Sequence, residues 1–418
     1  MKNKKLSKSV IYNMSGSIIY LFMQWLIIYV ILWTCGYKKE GMFSAVMSLS
    51  AVFYAFSLFG MRNYQSTDLN CEHSEKTYIL SRLLTCLISL LLSIVYCLIF
   101  KYKFYMILCI NFYLLFKFSE SIIDVLHGSL QREWKFKQIG ISFISRGIIT
   151  LIVFSISLLL FKSLLASIIL MALSSYIFIY FYDYKIYKKV FKNIGDATKK
   201  SIFKLLLLCF PLALYTTISN YALSYPKLLI SKIFGSKILG YYTTYANPAM
   251  IVQVAASFLV SPLITYFAEL YKNEDTKNIL KILLKCFIII TIIGVVAILF
   301  CTLFGRKLFA ILFGKEIIKY YYLLNQMIVI SVLTALMWLL AGIITMLRKF
   351  KPLIYINAFY ILIVIIGCNL VIKSYQLTGV NYAIIISMII VIILYYVYIL
   401  LFLKGKGRRS NEKISSNK

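Results

Sequence analysis

The sequence predicts an all-α polytopic membrane protein of about twelve transmembrane helices. Three observations lead there. Hydrophobic residues make up 61% of the chain and charged residues 14%, with a mean hydropathy of +0.86, outside the range of soluble domains. Apolar runs of spanning length recur from end to end, separated by short polar gaps. The net charge of +31 is concentrated in those gaps, which is how membrane topology is encoded and not how a nucleic-acid surface is built.

The basic start, Met1 to Lys8, precedes an apolar run from Ser9 to Trp33. That run is too long for the core of a cleavable signal and has no small-residue cleavage site, so it reads as a retained first helix. Runs at 41–60, 79–100, 104–130, 139–160 and 162–182 complete a first set of six. A polar, basic stretch interrupts the pattern, and six more runs follow at 205–226, 240–268, 282–304, 320–346, 353–372 and 380–403. The expected organisation is a six-helix lobe (1–182), a basic cytoplasmic linker (183–204), a second six-helix lobe (205–403) and a basic cytoplasmic tail (404–418). Sorting the gaps alternately to two sides puts the densest basic clusters together: Lys2/Lys4/Lys5/Lys8, Arg132/Lys135/Lys137, the lysines from Lys185 to Lys204, Arg348/Lys349/Lys351 and the tail. Both termini are therefore expected in the cytoplasm. The nine cysteines include no C-x-x-C pair and read as small buried hydrophobes.

The halves echo each other. Gly36-Tyr-Lys-Lys-Glu-Gly41 before the second run recurs as Gly235-Ser-Lys-Ile-Leu-Gly240 before the eighth, and Lys135-Phe136-Lys137 after the fourth recurs as Lys349-Phe350-Lys351 after the tenth. An even number of spans separates the copies, so the repeat is parallel, with a pseudo-two-fold axis along the membrane normal. This is the architecture of alternating-access transporters, and two pseudo-symmetric lobes around a central cavity are expected.

The fourth run carries the chemistry. Lys117, Glu120, Asp124, His127 and Gln131 fall within an arc of roughly 80° on a helix, one polar stripe in an apolar segment. Each charge near the bilayer centre costs on the order of 2.5–3.5 kcal/mol, so the stripe must face protein or a wet cavity. Lys117 and Arg146 are the deep cations and the candidate contacts for an anionic substrate. Asn220, Tyr221 and Asn247 are candidate substrate-binding residues, within a region rich in Tyr, Thr and Pro that includes Pro211, Pro226, Pro248 and Pro262. Interhelical hydrogen bonding is the competing role for those amides and hydroxyls. Glu120, Asp124 and His127 form either an ion-coupling site for H+ or Na+ or a structural charge network. Asp124 and Arg146 lie at equal depth on neighbouring helices and are expected to pair. The equivalent positions of the second half, Ser331, Thr334, Trp338 and Ala341, are uncharged, which assigns charge recognition to the first.

An enzyme is disfavoured. The long loops that hold catalytic groups in polytopic transferases are missing, there is no P-loop, H-E-x-x-H or G-x-S-x-G, and the only histidines are His73 and His127. No catalytic residue, metal ligand or cofactor is expected beyond a coupling ion.

Gly36-Tyr-Lys-Lys-Glu-Gly41-Met-Phe-Ser-Ala, Leu312-Phe313-Gly314-Lys315-Glu316 and Leu377-Thr378-Gly379-Val380-Asn381-Tyr382-Ala383 together resemble the polysaccharide-biosynthesis flippases, the O-antigen transporters, of the multidrug/oligosaccharidyl-lipid/polysaccharide exporter superfamily. The last motif matches only in part, since the family's Gly-Ala is spread over Gly379 to Ala383. The resemblance implies transport of an undecaprenyl-pyrophosphate-linked oligosaccharide by alternating access, with a lipid-linked sugar and membrane lipid as partners and a polysaccharide polymerase as a candidate neighbour. The alternative is a multidrug or other small-molecule cation antiporter of the same superfamily.

Overall fold

A computed structural model describes residues 2–67, 72–192, 194–272 and 275–416. Its elements in order are α1 (Lys2–Leu58), α2 (Met61–Thr67), α3 (Glu75–Ile99), α4 (Phe104–Arg132), α5 (Phe136–Phe161), α6 (Leu164–Phe178), a π-helical turn (Ile179–Asp183), α7 (Tyr184–Val190), α8 (Lys199–Lys272), α9 (Thr276–Phe300), a second π-helical turn (Cys301–Gly305), α10 (Arg306–Phe313), a 3-10 turn (Lys315–Tyr320), α11 (Leu323–Met346) and α12 (Phe350–Ser416). Among the described residues there are nine segments long and apolar enough to cross a bilayer. Three of them, of 47, 52 and 54 residues, are about twice the length that a ~30 Å hydrocarbon core requires. Each is broken once, at Gly36, Gly235 and Gln376, so the nine segments make twelve passes. The protein is an all-α, multi-pass membrane protein.

Two of those breaks are the repeat read in the sequence. Gly36 (φ 74°, ψ 177°) and Gly235 (φ 81°, ψ 171°) share one backbone conformation, open to glycine and strained for any residue with a Cβ. A Cβ would meet nothing at either position, so conformation and not space selects the glycine. The second echo holds to single hydrogen bonds. Trp134 and Arg348 are both left-handed at φ 55°. Lys135 N donates to Leu130 O (2.9 Å) and Lys349 N to Ile344 O (3.2 Å), closing the same turn before α5 and before α12.

Residues up to Gly240 form one compact unit and those from Tyr241 a second, dividing within α8. In the first unit α1 packs along α5 and α4, and α4 against α3 and α6. The approach of α1 to α5 depends on small residues: a Cβ on Gly16 would lie 2.8 Å from Gly140 Cα, and one on Gly140 would clash with Tyr12 O. Close backbone approach of this kind is what holds helices together where lipid offers no hydrophobic drive. Ile27, Ile31, Phe43, Val46, Leu49, Tyr113 and Phe154 fill the core beside it. The six cysteines Cys86, Cys97, Cys109, Cys209, Cys286 and Cys368 are buried and free.

The stretch expected as a linker starts inside the fold. Asp183 and Tyr187 are buried, and the chain beyond is pinned to the start of α3 through Lys76 N to Ile194 O (3.1 Å) and Ser74 Oγ to Asp196 O (2.8 Å). Pro211, Pro226 and Pro248 sit in continuous helix; within α8 the break is at Gly235. The side chains of Pro262, of the basic start and of the tail lie outside the described set.

In the second unit, α11 packs against α9 and α12. Tyr241, Tyr242 and Tyr245 anchor the second half of α8 there. Their hydroxyls donate to Glu316 Oε2 (2.9 Å), Asn381 Oδ1 (2.8 Å) and Ile317 O (2.7 Å). Asn381 donates onward to Gln326 Oε1 (2.7 Å). Glu316 and Asn381 belong to the second and third motifs that carry the family resemblance, and their role here is to fasten the helices.

Candidate functional site

The polar stripe of α4 faces protein, as its charge demands, and its members pair both with each other and with neighbouring elements. Lys117 and Glu120 form an i,i+3 pair, with Nζ 2.9 Å from Oε1 and 3.0 Å from Oε2. Three rings surround the ammonium, those of Tyr54, Phe116 and Tyr113, at 5.5, 5.4 and 5.8 Å from their centroids. Tyr20 of α1 donates its hydroxyl to Glu120 Oε1. Its ring carries the guanidinium of Arg146, 4.4 Å from the centroid. Lys117, Glu120, Tyr20 and Arg146 thus make one chain of contacts across α4, α1 and α5.

The expected pair of Asp124 with Arg146 is not formed. Asp124 instead receives Arg62 Nη1 on Oδ1 (2.8 Å) and Arg82 Nη2 on Oδ2 (3.0 Å). The reason lies in packing: α5 lies along α1 and α6 and meets α4 at few points, so Arg146 reaches a tyrosine of α1. Arg82 also donates to Ser57 O (2.7 Å) and Arg62 to Gln131 Oε1 (3.1 Å). His127 is fully buried and hydrogen-bonded through Nε2 to Asp183 Oδ1 (3.0 Å). One turn below, Glu75 collects Arg132, Ser129 and Tyr187, closing α3, α4 and α7 together.

Exposure separates the two deep cations. The Lys117 side chain is 19% exposed; Arg146 is 1% exposed and lies against the ring of Tyr20. Asn220 donates to Thr216 O of its own helix (2.8 Å), and the Tyr221 hydroxyl lies 3.3 Å from that of Tyr96 on α3. Asn247 belongs to the second unit and is half-buried.

Arg62, Arg82, Tyr20 and Asp183 were not singled out from the sequence as site residues. Arg82 had a signal, being a lone arginine in an apolar run. Asp183 stands at the edge of a run, where the expected linker begins. Tyr20 had none, as one of 34 tyrosines.

No family model matches the chain. A capsular polysaccharide biosynthesis protein, CapF of Staphylococcus aureus, is 28% identical over 286 residues, covering 66% of this chain and 70% of that protein. Among solved structures, an inward-facing multidrug resistance MATE transporter of the MOP superfamily superposes with a TM-score of 0.71 over 96% of both chains at 14% identity. A Pyrococcus furiosus MOP-superfamily transporter, described as having a binding pocket of reverse polarity, superposes with a TM-score of 0.64 over 96% of both chains, also at 14% identity. The fold is the one these solved transporters share, and the sequence is similar to that of a capsular polysaccharide biosynthesis protein.

Proposed function

We propose that the protein is a flippase that carries an undecaprenyl-pyrophosphate-linked oligosaccharide across the bacterial inner membrane by alternating access, with both termini cytoplasmic. The observation that carries this reading is Lys117: a partly exposed ammonium at the middle of a spanning helix, ringed by aromatics and held by one carboxylate. An incoming pyrophosphate competes with Glu120 for that ammonium, and the tyrosines beside it offer faces and hydroxyls to sugars. The likeness to CapF supports a repeat unit of the capsular kind ahead of O-antigen.

The charge balance speaks against an organic-cation antiporter. Arg62, Arg82, Lys117 and Arg146 stand in this cluster against Glu120, Asp124 and Asp183, and a surplus of fixed positive charge repels a cationic ligand. Depleting the protein in cells should trap the lipid-linked repeat unit on the cytoplasmic leaflet, where an added lectin or glycosidase cannot reach it in intact spheroplasts. Undiminished surface polymer on depletion would overturn the reading.

A further inference from the structure

Asp183 and Tyr187, four residues apart, form the buried side of the segment that follows α6. Asp183 meets His127 of α4 (3.0 Å), and Tyr187 donates its hydroxyl to Glu75 Oε2 at the start of α3 (3.2 Å). Two contacts therefore fix the rotation of α7 about its own axis. At 100° per residue, Lys185, Lys188 and Lys189 fall within an arc of about 100° on the opposite side. All three are exposed, and among the described residues no carboxylate pairs with any of them.

Below the lysines the same outer side is aromatic. Ile177, Tyr180, Phe181 and Tyr184 are exposed. The ring of Tyr184 stacks on that of Tyr180, with 6.5 Å between centroids and 13° between planes, and Phe181 meets Tyr180 edge-on at 5.2 Å. The π-helical turn Ile179–Asp183 sets this register. Such a turn adds one residue to a helix, and without it the lysines would be rotated by about 100° relative to the apolar face of α6.

Depth completes the match. Helix α6 starts at Leu164, capped by Ser163, and twenty residues on, at Tyr184, the chain has advanced by about 30 Å, the thickness of the hydrocarbon core. Along one stripe, apolar side chains give way to aromatic rings and then to ammonium groups. A lipid leaflet presents acyl chains, interface and phosphate in that order. The lysines stand at headgroup level, on the side that the charge bias assigns to the cytoplasm. A zwitterionic lipid brings an ammonium of its own and gains no net attraction from three more, whereas a headgroup of net negative charge does.

We propose that this face is a binding site for an anionic phospholipid of the inner leaflet, with its acyl chains against Ile177, Tyr180 and Phe181 and its phosphate among Lys185, Lys188 and Lys189. The site shares no residue with the Lys117 chain of contacts and stands whether or not the protein is a flippase. Purified full-length protein, stripped of lipid in a neutral detergent, is given phosphatidylglycerol or phosphatidylcholine, and bound lipid is read by native mass spectrometry. The native chain should hold phosphatidylglycerol at least tenfold more tightly than phosphatidylcholine. Combining Lys185→Gln, Lys188→Gln and Lys189→Gln should abolish that preference, and the three corresponding changes to arginine should keep it. Combining Lys307→Gln, Lys315→Gln and Lys319→Gln removes equal charge elsewhere and should leave it unchanged. A native chain without the preference, or a full preference after the changes at 185, 188 and 189, overturns the site. Equal losses in the two glutamine variants also overturn it, by reducing the effect to net charge. Tighter binding of undecaprenyl pyrophosphate than of phosphatidylglycerol, lost on the same three changes in α7, would overturn the phospholipid as its occupant.

Discussion

Asp124 shows how a single carboxylate organises three helices. Arg82 is almost wholly buried and spends one nitrogen on Ser57 O and another on Asp124, while Arg62 closes from α2. Asp124→Ala would leave two guanidiniums facing each other in low dielectric, a loss of about 3–5 kcal/mol. We expect a correspondingly lowered melting temperature for the purified variant. Arg82→Met combined with Asp124→Leu should recover part of it, because the buried guanidinium is removed with its carboxylate, while Arg62, 30% exposed, keeps Gln131 and solvent. Exchanging charges between positions 124 and 146 should rescue nothing, since Arg146 rests on Tyr20. A swapped variant as stable as the native chain would show that the two side chains meet after all. The two side chains point to different neighbours, because helix spacing in a sequence carries no information about which neighbour a helix leans on.

At the scale of elements, the two glycine motifs do more than interrupt helices. A Cβ on Gly41 would drive into Ser236 O and lie 2.7 Å from Gly240 N, and one on Gly240 would drive into Tyr37 O and lie 2.8 Å from Glu40 Oε2. Each motif's last glycine thus meets the carbonyl of the other motif's second residue, a pseudo-symmetric crossing of α1 with α8 inside the first unit. Gly41→Ala must push two backbones apart, whereas Gly36→Ala meets no atom and costs only the ~1–3 kcal/mol of an alanine in an extended positive-φ conformation. Thermal unfolding should therefore separate them, with Gly41→Ala clearly less stable than Gly36→Ala. Equal melting temperatures would contradict the crossing. The repeat was legible because glycine at a positive φ leaves an unambiguous mark in a sequence. The role of the crossing was not, because two copies of a motif do not reveal that they touch. In the same way the apolar periodicity gave all twelve passes, while α2 and α7, of seven residues each, fell below the length at which hydropathy speaks. Those short helices bring Arg62 and Tyr187 to the stripe, so part of what escaped reading is what they carry.

For the whole molecule, topology and transport are the tests. Single cysteines placed at Lys38, Lys232 or Lys315 should react with an impermeant maleimide added to spheroplasts, and one at Lys192 should not; labelling at Lys192 would reverse the orientation. The claim that joins fold to function is that Lys117 meets the lipid-linked pyrophosphate. Its Glu120 pair lies within the membrane-spanning part of α4, where an ammonium has no route to either interface. The most direct measurement is surface polysaccharide in a strain lacking its own copy, complemented with native protein, Lys117→Arg or Lys117→Ala at matched membrane abundance. Lys117→Arg keeps the charge and should retain part of the polymer, since a lysine serves phosphate mainly as a point charge. Lys117→Ala should yield none, with the lipid-linked sugar left on the cytoplasmic leaflet; full surface polymer from Lys117→Ala would contradict the account.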